Sequence, residues 1–147
     1  CDGGACLILG AETLVGGAFA AQLASRRLKI AVAVAHETRH QNSLVNTLKE
    51  AGAEEAMMVS FNPSQESTVK RAVRDVASRF GAIDLLVVAL EAPVSCRFSE
   101  VSNLTKLAQS VMDTNYLANV YFTHYAMPHL RKDGGRVVAL TDPETDK

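Results

Sequence analysis

The residues best suited to chemistry form a glycine-containing segment near the start of the chain. Gly10, Gly16 and Gly17 lie between an apolar segment and a stretch with helical periodicity. Where a strand turns into a helix, glycines let the backbone approach a pyrophosphate, and the free N–H groups of the helix favour an anion. This segment predicts a dinucleotide-type phosphate loop with Gly10 and Gly16 as its outer glycines; the alternative is a purely structural helix start.

Cysteines and histidines do not form a metal or disulfide pattern. Three cysteines, at positions 1, 6 and 96, are an odd number without C-x-x-C spacing, and the four histidines have no cysteine or acidic cluster beside them. A disulfide framework needs paired cysteines, and a zinc site needs clustered ligands. We therefore predict no metal site and a reducing compartment inside the cell, either the cytoplasm or the interior of an organelle.

Charge and hydropathy exclude two further classes of function. Fifteen Lys and Arg residues against sixteen Asp and Glu residues give a net charge of −1, without a run of basic side chains. Binding to a nucleic-acid backbone needs a basic patch, and crossing a bilayer needs roughly 18–20 consecutive apolar residues. The sequence therefore predicts neither a nucleic-acid partner nor a membrane span.

The elements that must position the glycine segment follow a regular alternation. Five short apolar runs predict buried strands over Ala5–Leu9, Ile30–Ala35, Ala56–Ser60, Leu85–Ala89 and Arg136–Leu140. Helical periodicity covers Leu14–Arg27, Gln41–Ala51, Ser64–Phe80, and Asn103–Arg131, which is expected to hold two helices. Alternating strands and helices predict one α/β domain over residues 1–147, with a parallel sheet covered on both faces.

Turn residues predict where several helices begin and end. Gly52 can supply the left-handed turn that ends the second helix, Gly81 is expected to end the third helix, and Asp133–Gly135 predicts the turn before the last strand. Ser64 follows Asn62–Pro63 and is expected to cap the third helix.

The glycine segment resembles the T-G-x-x-x-G-x-G signature of short-chain dehydrogenases. It reads L-G-A-E-T-L-V-G over 9–16, so Leu14 stands at the middle glycine. The resemblance implies a Rossmann-like doubly wound sheet of about five strands in the order 3-2-1-4-5, lacking the C-terminal part of the family fold. Its implied cofactor-binding residues here are Gly10, Thr13, Val15 and Gly16. The Leu14 side chain is expected to crowd the pyrophosphate path and to resist a positive φ.

Other positions match the cofactor-contacting residues of the family with altered residue types. Asn62 falls where the family usually places an Asp that holds the adenine. Residues 84–91 read D-L-L-V-V-A-L-E and resemble D-x-L-V-N-N-A-G, which places Ala89 in the wall that supports the cofactor. His36 and Glu37 follow the second strand, where NADP binders carry basic residues. Glu37 is expected to accept from a ribose 2′-OH, as in NAD binders, or to be a solvated carboxylate.

The second half of the sequence resembles the hydroxysteroid dehydrogenase branch of the family, especially the 11-beta type and the plant steroleosins. Residues 111–116 (V-M-D-T-N-Y) place Asn115 at the Asn of the catalytic tetrad. Residues 135–142 resemble G-x-I-V-x-x-S-S, which puts Asp142 at the catalytic Ser. The Tyr-x-x-x-Lys of the family would fall about a dozen residues after Asp142, beyond Lys147.

Three functional hypotheses follow from this resemblance. The first is a catalytically inactive short-chain dehydrogenase-like subunit that acts as a structural or interaction component of an assembly and binds no cofactor. The alternative is the N-terminal half of an NADP-dependent hydroxysteroid-type oxidoreductase. The third is a sensor that binds NADP or NAD without catalysis.

The expected interaction surface lies in the last third of the sequence. Tyr116–Met127 predicts a helix that is apolar around most of its circumference, whereas a helix on a sheet needs only one apolar stripe. The last strand is expected to form a sheet edge, and free edges invite pairing. We predict one or more protein partners that cover this helix and this edge.

Overall fold

The protein is described by a computed structural model over residues 4–35, 41–89 and 97–140. Its five strands are β1 (Ala5–Leu9), β2 (Lys29–Val34), β3 (Glu55–Ser60), β4 (Leu85–Val88) and β5 (Arg136–Ala139). They form one parallel sheet in the order β3-β2-β1-β4-β5, which confirms the predicted topology. Each strand lies within one residue of its predicted bounds.

Helices cover both faces of this sheet, as expected. They are α1 (Leu14–Ala24), α2 (Gln41–Glu50), α3 (Glu66–Phe80), α4 (Leu104–Met112) and α5 (Ala118–Ala126). Alternate residues of β1 point to opposite faces: Leu7 and Leu9 pack in the core beneath α3 and α5, whereas Cys6 and Ile8 pack beneath α1 and α2. Burial on both faces explains why the inner strands read as continuous apolar runs.

The predicted pair of helices over 103–131 is present as α4 and α5, and the two form one continuous helical run. A π turn, Asp113–Leu117, joins α4 directly to α5. No glycine or proline lies between Leu104 and Ala126, so nothing in the sequence ends the helix there. Short 3-10 turns, Phe98–Glu100 and Met127–His129, lie on either side of this run.

The expected N-cap at Ser64 is wrong. Helix α3 begins at Glu66, and its cap position is Gln65, whose side chain makes no capping hydrogen bond. The Ser64 hydroxyl instead donates to Oδ2 of Asp113, at 3.1 Å. The expected left-handed turn at Gly52 is confirmed by its φ of 113°, and Gly81 ends α3 as expected, with a φ of 86°.

Strand β5 differs from the other four strands in its burial. All five residues of β1 are buried, whereas three of the four residues of β5 are exposed, including Val137. Among the described residues, β5 pairs with β4 alone, so it is an outer strand of the sheet that these residues form. No helix within the described ranges is long and apolar enough to cross a membrane.

Candidate functional site

The loop between β1 and α1 is shaped by two glycines. Gly10 has a φ of 93°, in the left-handed region that side-chain-bearing residues avoid. A Cβ added to Gly16 would lie 2.1 Å from the carbonyl oxygen of Gly10, a distance that no real carbon atom tolerates. The loop therefore turns back on itself so closely that only glycine fits at position 16.

Thr13 closes this loop from within. Its hydroxyl donates to the Gly10 carbonyl at 2.7 Å and accepts from the Gly16 N–H at 3.0 Å. Its backbone N–H also donates to the Gly10 carbonyl, at 3.0 Å. The Thr13 side chain thus acts as the N-cap of α1 and shapes the loop, with its polar atoms occupied inside it.

The start of α1 offers two unsatisfied backbone donors. Within the described part of the chain, the N–H groups of Leu14 and Val15 have no acceptor, because the first turn of a helix lacks internal partners and Thr13 caps only Gly16. The helix dipole places partial positive charge at the same point. This combination of donors and field is what binds a phosphate oxygen.

Leu14 does not have the positive φ that a leucine is expected to resist. Leu14 is the first residue of α1, and Arg27 is the only described non-glycine residue with a positive φ. The turn takes its positive φ at Gly10, which leaves Leu14 free to be helical. Its side chain is 90% exposed. The predicted crowding of a pyrophosphate by this side chain stays a prediction.

Two further predicted positions lie at the same carboxyl edge of the sheet. Ala89 follows β4, is buried, and donates its N–H to the Leu9 carbonyl at 2.8 Å. Ala89 therefore extends β4 beside the end of β1, next to the glycine loop. Asn62 follows β3, where its Oδ1 accepts from the Ser64 N–H at 3.0 Å. Ligands of open parallel sheets bind at this edge, in the crevice outside the strand ends.

Asn115 lies inside the π turn between α4 and α5. Its carbonyl oxygen accepts from the side-chain amide of Asn119, at 3.0 Å. A π turn changes the normal i to i+4 pairing, and such turns are frequent at functional sites. The turn therefore marks the position that sequence resemblance assigned to the catalytic tetrad.

A buried carboxylate at the start of this turn was missed by sequence reasoning. Asp113 is 8% exposed and accepts from the Ser64 hydroxyl and, at 2.7 Å, from the side-chain amide of Gln109. The sequence signal that could have indicated it is the position of Asp113, an acidic residue just before the apolar run that starts at Tyr116. Its partner Ser64, 49 residues earlier in the chain, left no trace in the sequence pattern.

Several predicted site residues lie outside the described residues. These are His36 and Glu37 after β2, and Asp142 after β5, together with the altered positions Leu90 and Glu91.

Among the described site residues, the structure brings together the glycine loop and Ala89. It places Asn62 farther along the same edge of the sheet, and Asn115 lies on the helical run that packs against α3.

The opposite, amino edge of the sheet holds polar groups that satisfy one another. Asp84 accepts from the Ala5 N–H at 2.8 Å and pairs with the Arg131 guanidinium at 2.5 Å. Burial, with a smaller contribution from Asp84, raises the pKa of the Cys6 thiol to about 12. A thiol with this pKa is not a nucleophile at neutral pH.

Within the described ranges, no group of three His, Cys, Asp or Glu side chains is placed to hold a metal ion.

Solved structures similar to this fold include nucleotide complexes. An "NADH-dependent reductase A1-R' complexed with NAD" superimposes with a TM-score of 0.80 and 22% identity, covering 94% of this chain and 59% of that chain. A short chain dehydrogenase from Burkholderia cenocepacia in complex with NADP gives a TM-score of 0.82 at 22% identity, covering 94% and 55%. At this identity the likeness establishes the fold.

Several curated relatives of this chain are plant proteins. An "11-beta-hydroxysteroid dehydrogenase" of Pinus massoniana is 30% identical over 143 residues, which are 97% of this chain and 40% of the relative. "11-beta-hydroxysteroid dehydrogenase A" of Arachis hypogaea is 27% identical, over 94% of this chain and 39% of the relative. The chain thus spans about two fifths of the length of these relatives.

A family model described as short chain dehydrogenase matches residues 5–143, nearly the whole chain. The match includes the glycine loop, all five strands and the π turn. Together with the sheet order and the loop geometry, it establishes that this chain belongs to the short-chain dehydrogenase family.

Proposed function

We propose that this chain is the cofactor-binding part of a hydroxysteroid-type oxidoreductase and binds a nicotinamide dinucleotide at the carboxyl edge of its sheet. The observation that carries the proposal is the glycine loop, in which Gly16 fits against the Gly10 carbonyl and Thr13 caps the turn. The loop directs the N–H groups of Leu14 and Val15 outward at a helix start, where a pyrophosphate would bind.

The relatives support this choice among the three hypotheses. The curated relatives are named as 11-beta-hydroxysteroid dehydrogenases, and two solved structures of the same fold are described with NAD and NADP. The loop geometry favours binding over the hypothesis of a subunit without cofactor, because the turn takes its positive φ at Gly10 and requires none at Leu14. We leave both NADP and NAD as candidates.

Asn62 is our candidate for the adenine contact. Its Oδ1 accepts from the Ser64 N–H, and its side-chain amide N–H groups have no acceptor among the described residues. An amide offers a donor and an acceptor side by side, which matches the N1 acceptor and the N6 amino group of adenine. An Asp at the same position could only accept.

Catalysis requires groups that the 147 residues do not supply at the matched positions. Asp142 stands at the position of the catalytic Ser, and the Tyr-x-x-x-Lys would fall beyond Lys147. Positioned proton transfer contributes typically 10²–10⁴-fold to such reactions. We therefore propose that these 147 residues supply dinucleotide binding and do not supply the proton transfer.

Calorimetric titration of the chain with NADH and NADPH tests this proposal. We expect a dissociation constant in the micromolar range for at least one of the two. A Leu14→Gly variant should bind the same dinucleotide more tightly, because it removes the exposed side chain beside the two free N–H groups. Absence of heat at millimolar dinucleotide, for both proteins, would refute the proposal and favour an interaction subunit.

A second candidate function rests on exposed apolar side chains. Ala118, Phe122 and Ala126 form the buried stripe of α5. Five large apolar side chains of this helical run and of the 3-10 turn after it are instead 43–58% exposed, and we call them the apolar stripe: Leu104, Met112, Tyr116, Val120 and Met127. Core packing does not account for this second stripe, and such surfaces mark protein contacts. We propose that a protein partner covers it.

Sedimentation of the purified chain, alone and with extracts of its source, tests the partner proposal. Val120→Glu places a charge in the apolar stripe and should abolish association. Lys70→Glu is the matched control, because Lys70 is exposed on α3, outside the stripe. A wild-type chain that remains a monomer without partners, or equal behaviour of both variants, would contradict this second proposal.

A further inference from the structure

Asp113 is the only charged side chain that is buried among the residues the structure describes. Both of its hydrogen-bond partners, Ser64 and Gln109, are neutral. A buried carboxylate loses its hydration, and neutral donors restore only part of that loss. A neutral residue would fill the same space at a lower cost in stability, so the carboxylate calls for a role beyond packing.

The two partners of Asp113 come from different parts of the fold. Gln109 lies four residues earlier, on α4, and donates to Oδ1 at 2.7 Å. Ser64 lies in the loop between β3 and α3, and its hydroxyl donates to Oδ2 at 3.1 Å. The carboxylate therefore ties the loop after β3 to the start of the π turn.

The same loop is tied in turn to Asn62. The backbone N–H of Ser64 donates to Oδ1 of Asn62, and the N–H of Asn62 donates to the Thr68 hydroxyl at 2.9 Å. The orientation of the Asn62 amide thus depends on where the Ser64 backbone lies. Ser64 in turn is held by Asp113.

We propose that Asp113 is a positioning residue that orients Asn62 toward adenine by holding Ser64. This inference rests on the proposed dinucleotide function and names a residue that acts without touching the ligand. Asp113 also begins the π turn that carries Asn115, so one carboxylate holds both the adenine loop and that turn. The adenine half of the ligand should therefore depend on Ser64 and Asp113, while the phosphate loop should not.

Titrations with AMP and with inorganic pyrophosphate separate the two halves of the site. Ser64→Ala should weaken AMP binding by about three- to tenfold, the worth of one hydrogen bond, and leave pyrophosphate binding unchanged. Ser64→Thr keeps the hydroxyl and should restore AMP affinity. The double variant Ser64→Ala/Asp113→Ala should bind AMP no more weakly than Asp113→Ala alone. Both changes remove the same hydrogen bond, the one from the Ser64 hydroxyl to Asp113. Asp75→Ala, an exposed acid on α3, is the control.

The outcomes distinguish this inference from the proposed function. If wild-type protein binds neither AMP nor NADH, the proposed function fails, and the inference fails with it. If wild-type protein binds but Ser64→Ala binds AMP equally well, or loses AMP and pyrophosphate affinity alike, the inference alone is overturned. Ser64→Ala tests the positioning role of Asp113 even if Asp113→Ala does not fold. The Ser64→Ala change removes only one hydroxyl from an exposed residue, so this variant should fold.

Discussion

At the carboxyl edge of the sheet, the loop after β1 leaves the N–H groups of Leu14 and Val15 without acceptors, whereas at the amino edge Asp84 takes up both the Ala5 N–H and the Arg131 guanidinium. Both edges are built from the same strands, so the strands themselves do not decide where a ligand binds. The edge that leaves its donors unsatisfied can bind an anion, and the edge that pairs its own charges serves stability. Four changes test this division.

The largest effect is expected from Gly16→Ala. Its new Cβ would lie 2.1 Å from the Gly10 carbonyl oxygen, so the loop must open. We expect a loss of about 3 kcal/mol in the free energy of unfolding and complete loss of dinucleotide binding. Gly17→Ala is the matched control, because its Cβ would lie 3.0 Å from the Ala11 carbonyl. Urea denaturation and calorimetry measure both; equal losses in the two variants would contradict the role of Gly16.

A smaller loss, restricted to stability, is expected from Asp84→Ala at the amino edge. The change leaves the Ala5 N–H and the Arg131 guanidinium without their acceptor and should cost about 2 kcal/mol, discounted for the partial exposure of the ion pair. Affinity for NADH should not change. Asp84→Asn keeps one acceptor and should fall between the two proteins in denaturation. Weaker NADH binding in a folded Asp84→Ala protein would show that the two edges are not independent.

Removal of the loop cap should have a moderate effect on both stability and binding. Thr13→Ala loses the hydroxyl that links Gly10 to Gly16 and should cost about 1 kcal/mol of unfolding free energy. NADH affinity should fall several-fold, since the loop loses its fixed shape. Thr13→Ser keeps the hydroxyl and serves as the control. Unchanged affinity in Thr13→Ala would mean that the glycines alone hold the loop.

The smallest effect concerns the Cys6 thiol at the amino edge. Because burial raises its pKa from 9.0 to about 12, the folded state favours the neutral thiol. Its contribution to stability is fully present below pH 9 and is lost as the pH rises toward 12. The loss should be below about 1 kcal/mol near pH 9.5 and should approach 1.4 kcal/mol per pH unit above that. Denaturation from pH 8 to pH 9.5 should show a shallower decline in Cys6→Ala; identical slopes would argue against a buried thiol.

The glycine loop and the sheet could be predicted because their causes are local. The strands are continuous apolar runs, and Gly10 and Gly16 lie six residues apart at a strand end. The link between Ser64 and Asp113 could not be predicted, since its two side chains meet only after the fold has formed. The position of Ser64 predicted a cap of α3. The Ser64 hydroxyl does not cap the helix because it donates to Asp113 instead. The π turn was missed because it keeps helical periodicity almost intact.

The π turn also has a consequence for insertions and deletions in this family of sequences. It accommodates one residue more than a regular turn, and each residue advances an α-helix by about 100°. Loss of one residue between Asp113 and Leu117 would therefore restore regular winding and leave α5 facing the core as before. Phe122, which packs edge-on against Phe61 at a centroid distance of 4.8 Å, would then keep its place. Loss of a second residue would rotate α5 by about 100° and turn Phe122 away from Phe61, so this segment tolerates one deletion and not two.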